Sequence, residues 1–120
     1  MSIRERVLFI PYLEGKVFAE QFASLAERIE GIVGRYAPSA EIFVFGSFAE
    51  GTWTPRSDID LLIVARGMSS HVKRQMRGEL IKAFGLASPL EFHIITDDDL
   101  LELYRKRAKL IPIRSLSSPT

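Results

Sequence analysis

The sequence predicts one α/β (α+β) domain, a mixed β-sheet flanked by α-helices, on three observations. Its 120 residues fit a single core. Short runs of β-branched and aromatic residues alternate with longer stretches of helical periodicity. Hydrophobic residues make up 47% and charged residues 26% of the chain, as in ordinary globular domains rather than disordered or fibrous ones.

The first helix is read from Val17 to Tyr36, where Val17, Phe18, Phe22, Leu25, Ile29, Ile32 and Val33 recur at spacings of three and four; Gly34, Pro38 and Ser39 end it. Glu41–Gly46 reads as a buried strand closed by glycine. After a connection rich in Gly, Thr, Ser and Pro, Asp58–Ala65 reads as a second strand with its carboxylates at the start. Ser69 and Ser70 can cap a helix running to Phe84, with Gly85 as its stop. Leu90–Thr96 is the third strand, and Thr96 is placed as the cap of a last helix ending near Lys109, with Asp97, Asp98 and Asp99 in its first turn. Residues 1–111 are expected to form the domain and Pro112–Thr120, rich in Ser and Pro, a flexible tail; residues 1–12 read as irregular or as an extension of the first helix.

No apolar run approaches the roughly 20 residues that cross a bilayer. Glu5 interrupts the basic stretch before Val7–Leu13, and no small-residue cleavage site follows, so a cytoplasmic protein without membrane contact is expected. The absence of cysteine excludes a disulfide framework, a thiolate zinc site and a cysteine nucleophile. The net charge of +1 hides an asymmetry: residues 1–60 carry 6 Lys/Arg against 9 Asp/Glu, and residues 61–120 carry 10 against 6. The basic half could meet phosphate, but its charges interleave with apolar helical positions and fit a solvated helix face better than a nucleic-acid surface. The same holds for Arg105, Lys106, Arg107 and Lys109 at a helix C-terminus, where the dipole favours cations; partner or RNA contact is the rival role.

Chemistry concentrates between the first two strands. Asp58 and Asp60 are two residues apart in a strand, hence on one face, with Ile59 turned inward. Two carboxylates that close repel, and an oxygen-seeking divalent cation removes the cost. Glu91 is a candidate third carboxylate from a neighbouring strand, on the side opposite Leu90, Phe92 and Ile94; a solvated edge carboxylate is its equal alternative. Three carboxylates can hold two metals for an in-line displacement at phosphorus. Gly46 admits a phosphate without a Cβ in the way, and Ser47 offers a hydroxyl and an N–H at a helix start. Gly51, Thr52 and Arg56 lie in the same connection and could reach a phosphate tail, while Ser57 orders the turn into the strand. His93 shares the face of Glu91 and is read as a structural histidine rather than a catalytic one. His71 is read as solvent-facing, and Trp53 as a loop anchor rather than a base-stacking ring.

Singly, a Gly-Ser pair is ordinarily a turn and an Asp-x-Asp a solvated strand edge. Together, Gly46-Ser47-Phe48-Ala49-Glu50-Gly51 followed by Ser57-Asp58-Ile59-Asp60-Leu61 resembles the signature of the DNA polymerase β-type nucleotidyltransferase superfamily. Gly-Ser, ten residues and Asp-x-Asp in a chain this short resembles the minimal nucleotidyltransferases, many of them antitoxins of HEPN-type RNase toxins. The signature spans about residues 44–64. The resemblance implies a nucleotidyltransferase fold, with Gly46, Ser47, Gly51, Thr52, Arg56 and Ser57 around the nucleotide and Asp58, Asp60 and Glu91 in catalysis and Mg²⁺ binding, with two ions. The family often has Asp at the third position, so Glu91 departs from it.

The implied reaction moves AMP from ATP to an acceptor hydroxyl, a tyrosine on a small helical HEPN-type partner, as a protein adenylyltransferase antitoxin would; a homo-oligomer is also compatible. Two alternatives stay open. One is a non-catalytic module that neutralises its partner by contact, and the other a nucleotidyltransferase acting on a small molecule such as an antibiotic.

Overall fold

The computed structural model describes residues 15–52, 57–85 and 88–117. Trp53, Arg56 and the segment before Gly15 lie outside them, as do the side chains of Val17 and Phe18. In chain order the elements are α1 (Gly15–Tyr36), β1 (Glu41–Phe45), α2 (Ser47–Glu50), β2 (Ile59–Val64), α3 (Ser70–Phe84), β3 (Leu90–Ile95), α4 (Asp98–Arg107), β4 (Ile111–Pro112) and α5 (Arg114–Ser117). The four strands form one mixed sheet in the order β3-β2-β1-β4, with β1 antiparallel to β2 and β4, and β2 parallel to β3.

Strand alternation divides the core into two faces. On one, Ile42 and Val44 of β1, Ile59, Leu61 and Ile63 of β2, and Leu90 and Ile94 of β3 meet the apolar stripes of α1 (Phe22, Leu25, Ile29, Ile32, Val33) and α3 (Met76, Leu80, Phe84). On the other, Phe43, Leu62, Val64 and Ile95 pack against Leu101 of α4, with Phe45, Tyr104 and Leu110 at the margin. The second cluster is the smaller, so this face leaves room for polar side chains at its end. β2 is buried on both faces from Leu61 to Val64, as its unbroken apolar run requires.

Polar contacts order the helices. Ser69 caps α3 by accepting from the Val72 N–H at 3.2 Å, and Gly85 follows Phe84 as its C-cap. Glu79 of α3 accepts from Tyr36 at 3.1 Å and pairs with Arg35, which ties α3 to the end of α1. Arg66, just after β2, bridges Glu41 at 2.8 Å and Asp98 at 2.6 Å.

Three expectations need correction. The cap of α4 is Asp97, whose carboxylate accepts from the Leu100 N–H at 2.9 Å; Thr96 is one residue too early to reach that donor. The same helix ends at Arg107 rather than near Lys109, because Ala108 turns to extended backbone. Residues 112–117 are not an unpacked tail. Pro112 pairs with Phe43 at the sheet edge, the Ile113 N–H donates to the Ile42 carbonyl at 2.9 Å, and the Ile113 side chain is 2% exposed in the larger cluster. Arg114, opening α5, lies 3.5 Å from Glu30 of α1.

Truncating a fully buried Ile leaves a cavity, so Ile113→Ala should cost about 2–4 kcal/mol in urea unfolding. A loss below about 0.5 kcal/mol, normal for exposed positions, would show that the segment does not pack.

Candidate active site

The antiparallel register of β1 and β2 sets Phe45 opposite Asp60, so the chain leaves β1 beside this carboxylate. Gly46 is the next residue. Its φ of 74° and ψ of −154° lie in a region essentially reserved for glycine. A Cβ at this position would overlap Oδ2 of Asp60 and come within 3.3 Å of its Cγ. Two independent reasons therefore require glycine here: the backbone conformation and the carboxylate lying against the Cα.

Ser47 opens the single turn of α2, closed by the Glu50 N–H donating to Gly46 at 3.1 Å and the Thr52 N–H donating to Ser47 at 2.9 Å. Gly51 ends the turn in the left-handed conformation, φ 78° and ψ 12°, with open space where a Cβ would be. Gly51 and Thr52 thus shape the loop that presents Gly46 and Ser47. Arg56 lies outside the described residues, and Ser57 is half-buried just before β2.

The parallel pairing of β2 with β3 sets Glu91 directly opposite Asp60, and alternation brings His93 to the same face. One potential ligand atom each from Asp60, Glu91 and His93 lie within 4.8 Å of one another. His93 Nε2 is 3.4 Å from Asp60 Oδ1 and 3.6 Å from Glu91 Oε1. It is also buried and has no hydrogen-bond partner. The Asp60 side chain is 25% exposed and that of Glu91 52%, so both carboxylates face a wet margin rather than dry core. Asp58, two residues before Asp60, is exposed and stands outside this cluster.

Aromatic rings wall the cluster. Phe45 meets the His93 ring edge-on at 5.0 Å and the Tyr104 ring at 5.4 Å, and Tyr104 lies 6.5 Å from His93. A cavity of about 500 Å³ beside β3 is lined by Glu91, His93, Tyr104 and Arg77, whose guanidinium donates to the Phe92 carbonyl at 2.9 Å. A groove of about 360 Å³ at the other end of β1, between Pro38, Glu41, Pro112 and Arg114, holds none of these groups. The cavity beside β3 reaches Glu91 and His93, while Gly46, Ser47 and Asp60 lie outside its lining.

The structure therefore joins Gly46, Asp60 and Glu91, sets Ser47, Gly51 and Thr52 in the adjoining loop, and leaves Asp58 at the exposed approach. Sequence reasoning assigned His93 a structural role, and it sits between the two carboxylates. Its shared face with Glu91 was readable; its approach to Asp60 was not, because that depends on which strand pairs with β3.

A glycine-serine loop closing on a strand carboxylate, with a second acidic residue in register, is an arrangement for phosphoryl chemistry. The family model described as nucleotidyltransferase domain matches residues 26–115. The chain belongs to the nucleotidyltransferase domain family. A crystal structure of a protein assigned as a nucleotidyltransferase shares 31% identity with a TM-score of 0.60, covering 72% of this chain and 94% of that one. A stretch of 67 residues is 34% identical to the Drosophila melanogaster protein called inactive non-canonical poly(A) RNA polymerase protein Trf4-2; it is 56% of this chain and 16% of that protein. The chain thus spans a small part of that relative. A toxin-antitoxin structure with AMP-PNP is 19% identical over 77% of this chain and 80% of that one, with a TM-score of 0.49. The mixed sheet and its helices are those of the nucleotidyltransferase fold.

Gly51→Ala places a Cβ in the left-handed α region, at a cost of roughly 1–2 kcal/mol, whereas Gly46→Ala enters a region open essentially to glycine alone, where the backbone cost is higher. Only Gly46→Ala also meets Asp60, an overpacking worth about 1–3 kcal/mol more. Urea unfolding should therefore rank Gly46→Ala well below Gly51→Ala in stability, and equal losses would contradict the contact between residue 46 and Asp60.

Proposed function

We propose that the chain is a Mg²⁺-dependent nucleotidyltransferase that moves a nucleoside monophosphate, AMP from ATP, to an acceptor hydroxyl. The observation that carries this reading is the Asp60 carboxylate lying against the Cα of Gly46 while Glu91 stands in register beside it. Phosphates held at a glycine-serine loop are thereby next to acidic groups, where an attacking hydroxyl must lose its proton.

The residues fit a divalent cation. Asp60 and Glu91 offer hard oxygen donors with solvent access, and two like charges this close are unfavourable without a counter-charge. In this reading they hold Mg²⁺, with Asp58 joining from the exposed approach, up to two ions in all. Bound Mg²⁺ supplies charge neutralisation for the phosphates and the carboxylates together.

The chain's own groups do the rest. Gly46 brings the loop backbone against the Asp60 carboxylate, and Ser47 binds the phosphate chain through its hydroxyl and N–H; Gly51, Thr52, Arg56 and Ser57 complete the nucleotide loop. The acceptor oxygen forms a bond to the α-phosphorus while the α–β bridging bond breaks and pyrophosphate leaves. The acceptor proton passes to a carboxylate of the cluster, and the more exposed Glu91 is the one an incoming hydroxyl meets first. Arg77, Tyr104 and the cavity beside β3 border the side from which that hydroxyl would arrive.

The acceptor in this reading is a tyrosine of an HEPN-type partner, supported by the likeness of the Gly46-Ser47 and Asp58-Ile59-Asp60 spacing to the minimal nucleotidyltransferases. Modification of that tyrosine would silence the partner's RNase activity, and the exchange of ATP with a protein partner suits the cytoplasm.

Incubating the chain and an HEPN-type protein with ATP and Mg²⁺ should add one nucleoside monophosphate to a tyrosine, read by mass spectrometry. Glu91→Gln should slow this by about 10²–10⁴-fold, the range for removal of a general base. Asp60→Asn should abolish it with the melting temperature of the free protein retained. Labelling at the wild-type rate by both variants would refute the site. An unlabelled partner, with ATP binding still dependent on Asp60, would refute only the acceptor.

A further inference from the structure

We propose that His93 is a direct ligand of the divalent cation, completing a site with Asp60 and Glu91, and that its nitrogen makes the site favour Mn²⁺ over Mg²⁺. The inference rests on the reading of Asp60 and Glu91 as cation ligands and adds what their geometry does not supply, the identity of the ion.

The separations are the first support. His93 Nε2 stands 3.4 Å and 3.6 Å from one oxygen of each carboxylate, and it hydrogen-bonds to neither. Donors bound to one ion at about 2.0–2.2 Å, at angles near 90–110°, lie roughly 3.0–3.5 Å from each other. The 3.4 Å separation falls in that range and the 3.6 Å one just beyond it, and all three atoms lie within 4.8 Å of one another, so a small inward shift of the carboxylates lets them share one ion.

The second support is the cost of leaving Nε2 as it stands. A buried polar atom without a partner pays its desolvation penalty uncompensated, and each such atom in a native structure calls for an explanation such as an ion or a water. Phe45 packs edge-on against the imidazole at 5.0 Å and Tyr104 stands 6.5 Å off, while 30% of the side chain stays exposed. The imidazole is preorganised with its nitrogen toward the two acids, as a metal-ligating ring should be.

The donor set then ranks Mn²⁺ against Mg²⁺. Carboxylates, water and phosphate serve Mg²⁺ and Mn²⁺ alike, whereas imidazole nitrogen is a better ligand for first-row transition ions than for Mg²⁺. Two carboxylates and one imidazole therefore form a set of which Mn²⁺ uses all three members. Mg²⁺ can bind through the same oxygens and water, gaining little from the nitrogen.

The test is electron paramagnetic resonance of the full chain titrated with Mn²⁺, then displaced with Mg²⁺, in the absence of nucleotide. In the wild type, the bound Mn²⁺ should show electron spin-echo modulation from a directly coordinated ¹⁴N. His93→Gln keeps an oxygen donor, and His93→Phe keeps the ring against Phe45 and Tyr104. Both should lose the nitrogen signal, and the preference for Mn²⁺ over Mg²⁺ should fall about tenfold, the lower range for loss of a supporting metal-site group. Bound Mn²⁺ without nitrogen coupling in the wild type overturns the proposal, as does an unchanged ion preference in both variants. Loss of Mn²⁺ binding in Asp60→Asn alongside either of those results leaves the carboxylate site standing and removes only His93. Unchanged binding in Asp60→Asn overturns the carboxylate reading and the His93 proposal together.

Discussion

The contact of the Asp60 carboxylate with the bare Cα of Gly46 is the constraint around which the site is arranged. It exists because β1 and β2 are antiparallel and in a register that ends with Phe45 opposite Asp60. Side chains alternate with period two, so a one-residue slip of β2 would drive Asp60 into the apolar face now filled by Ile59, Leu61 and Ile63 and turn those residues outward. The hydrophobic core thus holds the register of Asp60 against Gly46 in place, since burying an unpaired carboxylate while exposing three large apolar side chains is heavily unfavourable. The parallel pairing of β3 carries the same register across to Glu91.

The unequal covering of the sheet decides which face can do chemistry. α1 and α3 cover one face with a large cluster of buried aliphatic and aromatic residues. Among the described residues Leu101 of α4 is the buried helical side chain on the other face, and Phe45, Tyr104 and Leu110 form its partly buried margin. Half-exposed acids are tolerated at this margin because water still reaches them, while the aromatic rings fix the imidazole between them. Ordered placement of Asp60, Glu91 and His93 and their access to water come from the same incomplete layer, as the proposed function requires.

Much of this was legible in the residues. The α3 limits followed from Ser69 and Gly85, whose capping roles depend on local backbone chemistry alone. The three main strands showed in their β-branched runs, and the inward set Leu90, Phe92 and Ile94 placed Glu91 and His93 on the other side before any pairing was known. The C-terminal segment was not legible: a two-residue strand has no periodicity, and one buried residue, Ile113, stands among prolines and serines. Thr96 and Asp97 are both good caps, and only backbone geometry chooses between them. The nearness of His93 to Asp60 comes from strand order, a long-range fact that local pattern does not encode. For Asp58 and Asp60, a spacing of two promised a shared face; their unequal exposure arises because Asp58 precedes β2 while Asp60 lies within it.

The central claim is that the Gly46-Ser47 loop and the Asp60-Glu91 pair are one site for nucleotide phosphates and cation. Backbone amide chemical shifts of the full chain, followed by NMR through a titration with Mg²⁺ and an ATP analogue whose α–β bridge cannot be cleaved, test it most directly. The account predicts shifts concentrated at Gly46, Ser47, Asp60 and Glu91, with the groove at Ser39, Glu41 and Arg114 unaffected. Shifts centred on that groove, with the Gly46 and Asp60 amides unmoved at saturation, would contradict it.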